Sequence, residues 1–279
     1  MTKLVFTPAP AIMGVLNVTP DSFSDGGQHL TVAAAVDRAA VMCEEGADML
    51  DIGGESTRPG AAAVGIQQEL DRVLPVIDAL NDRFDVALSI DTSKPAVMTA
   101  AAAAGASLIN DVRALREPGA ASAAAATGLP VCLMHMQGQP RTMQHEPRYG
   151  DVVAEVFAFL DERIAAAQTA GIPVDRIIVD PGIGFGKTLD HNIELLAALS
   201  RLVKRGQPVL LGVSRKSMFA KLLGRPVDQR LAGGLAVATY ATQAGVSILR
   251  VHDVAATVDA VRVMRAIRAV AENMDDAGP

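Results

Sequence analysis

Tryptophan is absent from this 279-residue chain, which has only two tyrosines and seven phenylalanines. That scarcity removes the stacking platforms used to bind single-stranded nucleic acids. A basic excess is missing too: 25 Lys and Arg stand against 31 Asp and Glu, for a net charge of −6. A phosphate-backbone binder needs a positive face, so no nucleic-acid partner is expected. An anionic ligand must then be held by a few placed cations. The two cysteines, Cys43 and Cys132, form no CxxC pair and sit beside no ligand cluster. They read as buried, reduced thiols. No apolar run reaches the ~18 residues that span a bilayer, and the alanine-rich stretch 98–106 is too short and too weakly apolar. No basic segment followed by an apolar core opens the chain, so no secretory signal is read. The expectation is a soluble, cytoplasmic protein without a membrane partner.

What is present is one repeated rhythm: a short β-branched run, a loop, then an alanine-rich amphipathic stretch. The runs are 12–19, 49–54, 87–92, 108–113, 131–136, 177–182, 209–214 and 248–253. Helical spacing appears over 32–45, 68–83, 95–104, 152–170, 192–204, 229–241 and 254–271. Asp91-Thr92-Ser93 ahead of Lys94-Pro95 reads as a polar helix cap before an early helical proline. Gly46, Gly105, Gly128, Gly171 and Gly245 read as left-handed helix ends. Strands apolar on both faces imply a sheet covered on both sides. Eight successive βα units favour a closed (β/α)8 TIM barrel over an open sheet, and the length suits one barrel of ~250 residues. The expected organisation is a single domain over 1–279, with the barrel at about 12–271 and a frayed tail at 272–279.

The site of such a barrel lies at the C-terminal ends of its strands. Unusual polarity gathers there, and burying it without partners would be costly. One set is Asp91, Asn110 and Asp180, at the ends of strands three, four and six. It complements the N–H donors of an aminopyrimidinone edge, because a carboxylate can accept two parallel hydrogen bonds. Lys216 could donate to the ring carbonyl. A second set is Arg250, His252, Asn17, Thr57 and Ser214. Arg250 and His252 alternate on one strand and so share a side. The loop Ser214-Arg215-Lys216-Ser217 opens a helix, where phosphate is favoured. Pyrophosphate with Mg2+ would fit, Asn17 offering a hard oxygen ligand.

These residues carry a resemblance. Met13-Gly-Val-Leu-Asn17-Val-Thr-Pro-Asp-Ser-Phe-Ser-Asp-Gly-Gly27 and Asp51-Ile-Gly-Gly-Glu-Ser-Thr-Arg-Pro-Gly60 are similar to the first two signatures of the dihydropteroate synthases. Ser89-Ile-Asp91, Ile109-Asn110-Asp, Leu133-Met-His-Met-Gln137, Asp180-Pro-Gly-Ile-Gly-Phe-Gly186, Ser214-Arg-Lys-Ser217 and Arg250-Val-His-Asp253 follow in the family's order. The resemblance implies condensation of 6-hydroxymethyl-7,8-dihydropterin pyrophosphate with para-aminobenzoate, by departure of pyrophosphate before attack. It implies that Asp91, Asn110, Asp180 and Lys216 hold the pterin edge, that Met134 and Gly212 line its pocket, and that Arg250 lies over its face. It implies Asn17 as the Mg2+ ligand, and Asn17, Thr57, Arg250 and His252 around the pyrophosphate. The para-aminobenzoate pocket, also the sulfonamide site, would be Thr57, Arg58, Pro59, Phe185, Lys216 and Ser217. Asp91, Lys216, Arg250, His252 and Asn17 are the implied catalytic set. Mobile loops after strands one and two and a homodimer are further implications.

Taken singly, most of these residues have plainer readings. Asp91 alone reads equally as a cap of the next helix, a role Ser93 would share, and Asp111 reads as a cap. His135 reads as a satisfied histidine beside the site, and His29, His145 and His191 as loop or surface residues. Gly184-Phe185-Gly186-Lys187 lacks the phosphate-loop spacing and reads as a tight turn holding Phe185. Met134, Met136 and Met143 read mainly as packing. Lys221, Arg225 and Arg230 read as a solvated face, and Arg215 as a structural pair. Glu55 has no evident role. The competing functions are a pterin-binding corrinoid methyltransferase, a non-catalytic pterin-binding paralogue and an unrelated phosphate-binding barrel enzyme. Arg58, the Ser-Arg-Lys-Ser loop and the Arg-Val-His pair count against the first, intact Asn17, Thr57, Arg58, Lys216 and His252 against the second, and the two signature loops against the third.

Overall fold

The computed structural model describes residues 9–19, 28–56, 63–138, 143 and 146–276. Its strands are β1 (Ala11–Asn17), β2 (Met49–Gly53), β3 (Ala87–Asp91), β4 (Leu108–Asp111), β5 (Val131–Met134), β6 (Ile177–Asp180), β7 (Leu210–Gly212) and β8 (Ile248–Val251). All pair in parallel, in the order β6-β5-β4-β3-β2-β1-β8-β7. The remaining seam carries a parallel bridge between Val179 and Val209. There the Val179 N–H also donates to the Pro208 carbonyl at 2.9 Å. The eightfold rhythm is thus a barrel. Each strand stops one or two residues before its sequence run does, because the terminal polar residues leave the ladder to form the loops of the mouth.

The helices are α1 (Gln28–Glu44), α2 (Ile66–Asn81), α3 (Pro95–Ala103), α4 (Ala120–Thr127), α5 (Val152–Thr169), α6 (Leu189–Ala197), α7 (Leu199–Val203), α8 (Met218–Leu223), α9 (Leu231–Ala244) and α10 (Val254–Asp276). Among the described residues, no helix is long and apolar enough to cross a membrane. The expected glycine ends are left-handed, from φ 67° at Gly128 to φ 108° at Gly105. Several expectations need correction. The stretch 192–204 is two helices, broken at Ala198. α4 is almost pure alanine, so no apolar–polar contrast marks its period. α10 continues to Asp276, so 272–276 are helical, and 277–279 lie outside the described residues. The cap of α3 is Lys94, with no side-chain cap bond. Asp91 turns instead to Arg250, and Ser93 donates to Asp111.

Alternation along the strands sorts the core into two. Outward residues such as Leu50, Ile90, Leu133 and Leu249 pack under the helices. Inward residues Met13, Met49, Leu108, Cys132, Ile178, Leu210 and Ile248, with Ala87, contribute one side chain per strand and plug the barrel. Cys132 is fully buried and Cys43 partly so, and neither is in a disulfide. Two residues further along each strand, the inward layer becomes Val15, Asp51, Ser89, Asn110, Met134, Asp180, Gly212 and Arg250. The lumen changes from apolar to polar within one step of the pleat.

Candidate active site

The polar layer is organised around Asp51, a strand-interior carboxylate with no exposed surface. Arg250 reaches it across the lumen and donates from Nε to Asp51 Oδ2 at 2.6 Å and from Nη2 to Asp91 Oδ2 at 2.9 Å. Asn110 Nδ2 donates to the same Asp51 oxygen at 3.1 Å. One guanidinium therefore bridges β2 and β3 from β8, and Asn110 is oriented from β4. Among the described residues, Asp51 Oδ1 and Ser89 Oγ are buried without a hydrogen-bond partner. They are paired in register on β2 and β3, so a water or a ligand donor would satisfy both.

Burial sets the charge balance here. It pushes Asp91 up to about 7, against the lowering pull of Arg250. It pushes Asp180 up to about 6, although the Gly182 N–H donates to Asp180 Oδ1 at 2.7 Å. Burial alone would lower Arg250, but Asp51 and Asp91 hold it above its ordinary value. Lys216 falls to about 8 through burial. Its ammonium lies 4.2 Å from the centroid of the Phe185 ring, an attraction of cation to aromatic face. Carboxylates near neutrality and a lysine near 8 are what a site handling a polar, partly charged ligand requires.

The other expected residues fall around this centre. Asn17 ends β1 beside Gly53 and Asp91. A Cβ added to Gly53 would stand 3.6 Å from Asn17 Oδ1 and 3.8 Å from Asp91 Oδ2. Gly212 leaves room beside the Arg250 stem, since a Cβ there would lie 3.9 Å from Arg250 Cβ. Met134, Met136, Met143 and Val112 form a small apolar wall that Phe185 packs against. His252 Nδ1 and its backbone N–H both approach Ser214 Oγ, at 3.1 and 3.2 Å. Ser217 stands at the start of α8, a helix of only six residues, without a side-chain cap bond. Its aligned peptide dipoles are too few to support the phosphate reading of that helix. Arg215 pairs with Asp253, at 2.6 Å from Nη2. Thr57, Arg58, Pro59, His145 and the loops expected to be mobile, 20–27 and 57–62, lie outside the described residues.

Some readings change. Arg230 is not simply solvated: its Nη1 donates to the Arg215 carbonyl at 3.0 Å and so holds the basic loop. His191, expected on a loop or the surface, is half-buried as the third residue of α6, in a capping box with Thr188. Asp111 does cap, but it caps the turn after β4, accepting from the N–H groups of Arg113 and Leu115 at 2.8 Å each. Glu55 gains a role: with the buried Glu69 it pairs with Lys94. Arg72 donates to the neighbouring Gly54 carbonyl at 2.7 Å. The root of the β2 loop is thereby fixed to α2 and to the start of α3. Asp51 and Lys187 escaped the sequence reading. The signal for Asp51 was present, as an acid inside an apolar strand run at the inward phase of Met49 and Gly53.

The comparisons agree with this geometry. Residues 13–252 match the family described as pterin binding enzyme. The chain is 53% identical over 264 residues to the dihydropteroate synthase of Escherichia coli (strain K12), covering 95% of this chain and 94% of that protein. The dihydropteroate synthase of Yersinia pestis, solved with a sulfonamide drug complex, superposes with a TM-score of 0.91 at 54% identity. It covers 96% of this chain and 98% of its own. The dihydropteroate synthase of Xanthomonas albilineans in complex with 7,8-dihydropteroate gives a TM-score of 0.86 at 53% identity, with 94% of each chain covered.

Proposed function

The chain belongs to the pterin-binding enzymes and, within them, to the dihydropteroate synthases, and on that premise we propose how its lumen residues divide the reaction. The reaction breaks the C–O bond between the pterin methylene and pyrophosphate, and forms a C–N bond to the amine of para-aminobenzoate. Asp91, Asn110, Asp180 and Lys216 hold the pterin edge. The carboxylates accept from ring N–H and amino groups, and Lys216 donates to the ring carbonyl. Met134 and Gly212 line this pocket, with Arg250 anchored by Asp51 and Asp91 beside it. The observation that carries the reading is this single polar layer above an apolar plug.

Departure of pyrophosphate comes first in this reading, because the electron-rich pterin tolerates a methylene cation beside Asp91 and Asp180. Arg250 and His252, with Asn17 and Thr57, hold the leaving anion and stabilise the charge that develops on it. The aniline-type nitrogen then attacks with its lone pair and loses a proton, so no strong base is needed. Phe185, Lys216 and Ser217, with Thr57, Arg58 and Pro59, form the para-aminobenzoate pocket, where a sulfonamide would compete. Mg2+ would be held by Asn17 Oδ1. Among the described residues, no group of three His, Cys, Asp or Glu side chains could hold a metal. One amide oxygen suits Mg2+, which is commonly bound by few protein ligands together with substrate phosphates and water. When bound, it would neutralise leaving-group charge.

The test is product formation from the pterin pyrophosphate and labelled para-aminobenzoate, with and without Mg2+. Mg2+-dependent dihydropteroate, inhibited by a sulfonamide, is expected. Binding of the pterin pyrophosphate without turnover would instead support the non-catalytic paralogue.

A pH dependence follows. Asp180 accepts best when charged, above about 6. Lys216 donates best when charged, below about 8. Asp91 also accepts best when charged, above about 7, so affinity for uncharged 6-hydroxymethyl-7,8-dihydropterin is expected to rise through about 6 to 7 and fall through about 8. Calorimetry from pH 5 to 9 measures it, and a flat profile would remove these assignments.

A homodimer in the cytoplasm completes the proposal. Its support is an apolar face on α10: Val263, Ile267 and Val270, each more than half exposed, with Tyr240 of α9 also exposed. Exposed apolar residues at this helical spacing suit a second copy. Sedimentation is expected to give twice the 29.0 kDa chain mass, and Ile267→Glu to give the single chain. A monomeric wild type would remove the dimer.

A further inference from the structure

We propose that Lys187 is a positioning residue of the active site, tying the loop after β5 to the loop after β6 and so fixing where Phe185 stands. Lys187 is 3% exposed. Its three ammonium hydrogens face the carbonyls of Gly182 at 2.8 Å and Phe185 at 3.0 Å and His135 Nδ1 at 2.9 Å, with the His135 carbonyl further off at 3.4 Å. No carboxylate pairs with it among the described residues. A desolvated charge is expensive, and an apolar side chain would fill the same space at less cost. What only a terminal amine with several N–H donors supplies is a common partner for carbonyls converging from two loops, although burial lowers Lys187 to about 7, against the raising pull of Asp180.

The convergence comes from glycine. Gly182 has φ 67°, and a Cβ there would meet the His135 carbonyl oxygen at 1.9 Å. Gly186 has φ 62°, and a Cβ there would meet the Gln137 oxygen at 2.5 Å. The two loops therefore pack backbone to backbone, and their carbonyl dipoles crowd together. Lys187 offsets that repulsion from the core side. On the lumen side, the same turn presents Asp180 through the Gly182 N–H and Phe185 beneath the Lys216 ammonium. Lys187 acts through this turn. With Lys187 protonated, its ammonium can only donate, so His135 Nδ1 accepts and the imidazole is neutral with its proton on Nε2. Burial, and then Lys187, lower His135 to about 3.

The proposal rests on the reading that Phe185 walls the para-aminobenzoate pocket, so Phe185→Ala is measured beside Lys187→Met and the double variant. Lys187→Met is expected to raise KM for para-aminobenzoate about tenfold, with a smaller change in kcat, because a displaced wall misplaces the second substrate. The double variant is expected to be no worse than Phe185→Ala, since both act on one wall. Lys187→Gln, which keeps two donors, should recover part of the loss and carries the comparison if Lys187→Met does not fold. In the wild type, nitrogen NMR should show His135 neutral at pH 5. KM raised by Phe185→Ala but unchanged by both Lys187 variants would overturn the tie and leave the pocket standing. KM unchanged in all would overturn the pocket and the tie together. A His135 titrating near its ordinary value of about 6.5 would overturn the contact itself.

Discussion

Arg250→Met is expected to lower kcat/KM by on the order of 1,000-fold, because the variant loses the cation placed for the departing charge. It is also expected to destabilise the fold by roughly 3–5 kcal/mol, the usual result of stranding a buried charge. The stranded group is Asp51, fully buried and left with Asn110 as its remaining described donor. Urea unfolding and steady-state kinetics read the two losses separately. A second substitution, Asp51→Asn, should restore much of the stability by removing the uncompensated charge, while turnover stays lost. If Arg250→Met keeps turnover within tenfold of wild type, the guanidinium serves only to hold Asp51 and Asp91, and the leaving-group assignment is wrong.

Asp180→Ala is expected to abolish measurable turnover, a loss of about 1,000-fold or more, with the barrel intact. A site built to accept hydrogen bonds from a ring edge discriminates by such factors, because the donor is otherwise left unpaired. The structural cost should be small by comparison. The bond lost within the protein is the one from the Gly182 N–H, worth about 1–3 kcal/mol when a buried donor is left unmade. Asp180→Asn separates the two effects. Its amide oxygen can keep the Gly182 bond, but its NH2 faces the pterin donors with donors of its own. Equal loss of turnover in both variants, with stability recovered in Asp180→Asn, is the expected pattern. Normal turnover in either would show that the partner of Asp180 is not the pterin ring.

Much of the architecture was legible because it is periodic. A β-branched run ends in a polar mouth, and that position placed Asp91, Asn110, Asp180 and Arg250 at the C-terminal ends of their strands. The glycine helix ends were legible for a local reason as well, since a left-handed residue closes a helix wherever the chain lies. Legibility failed where the local signal was blank or ambiguous. α4 has no polar face to set its phase. Asp91-Thr92-Ser93 has the composition of a cap, yet Asp91 and Ser93 have competing partners elsewhere and only Thr92 stays local, accepting from the Lys94 N–H; the sequence carries no weight for partners not yet in place.

By itself, then, the sequence determined the eight βα units, the reduced cysteines and the polar rim of the mouth. Only the tertiary structure decided which groups meet across the lumen. Arg250 and Asp51 are 199 residues apart. Their meeting depends on the stagger with which eight strands close, a property of the whole barrel and of no segment within it. The same holds for Lys187. Its neighbours in sequence mark a tight turn, but its burial and its charge balance arise only when the β5 loop, 52 residues earlier, is packed against that turn.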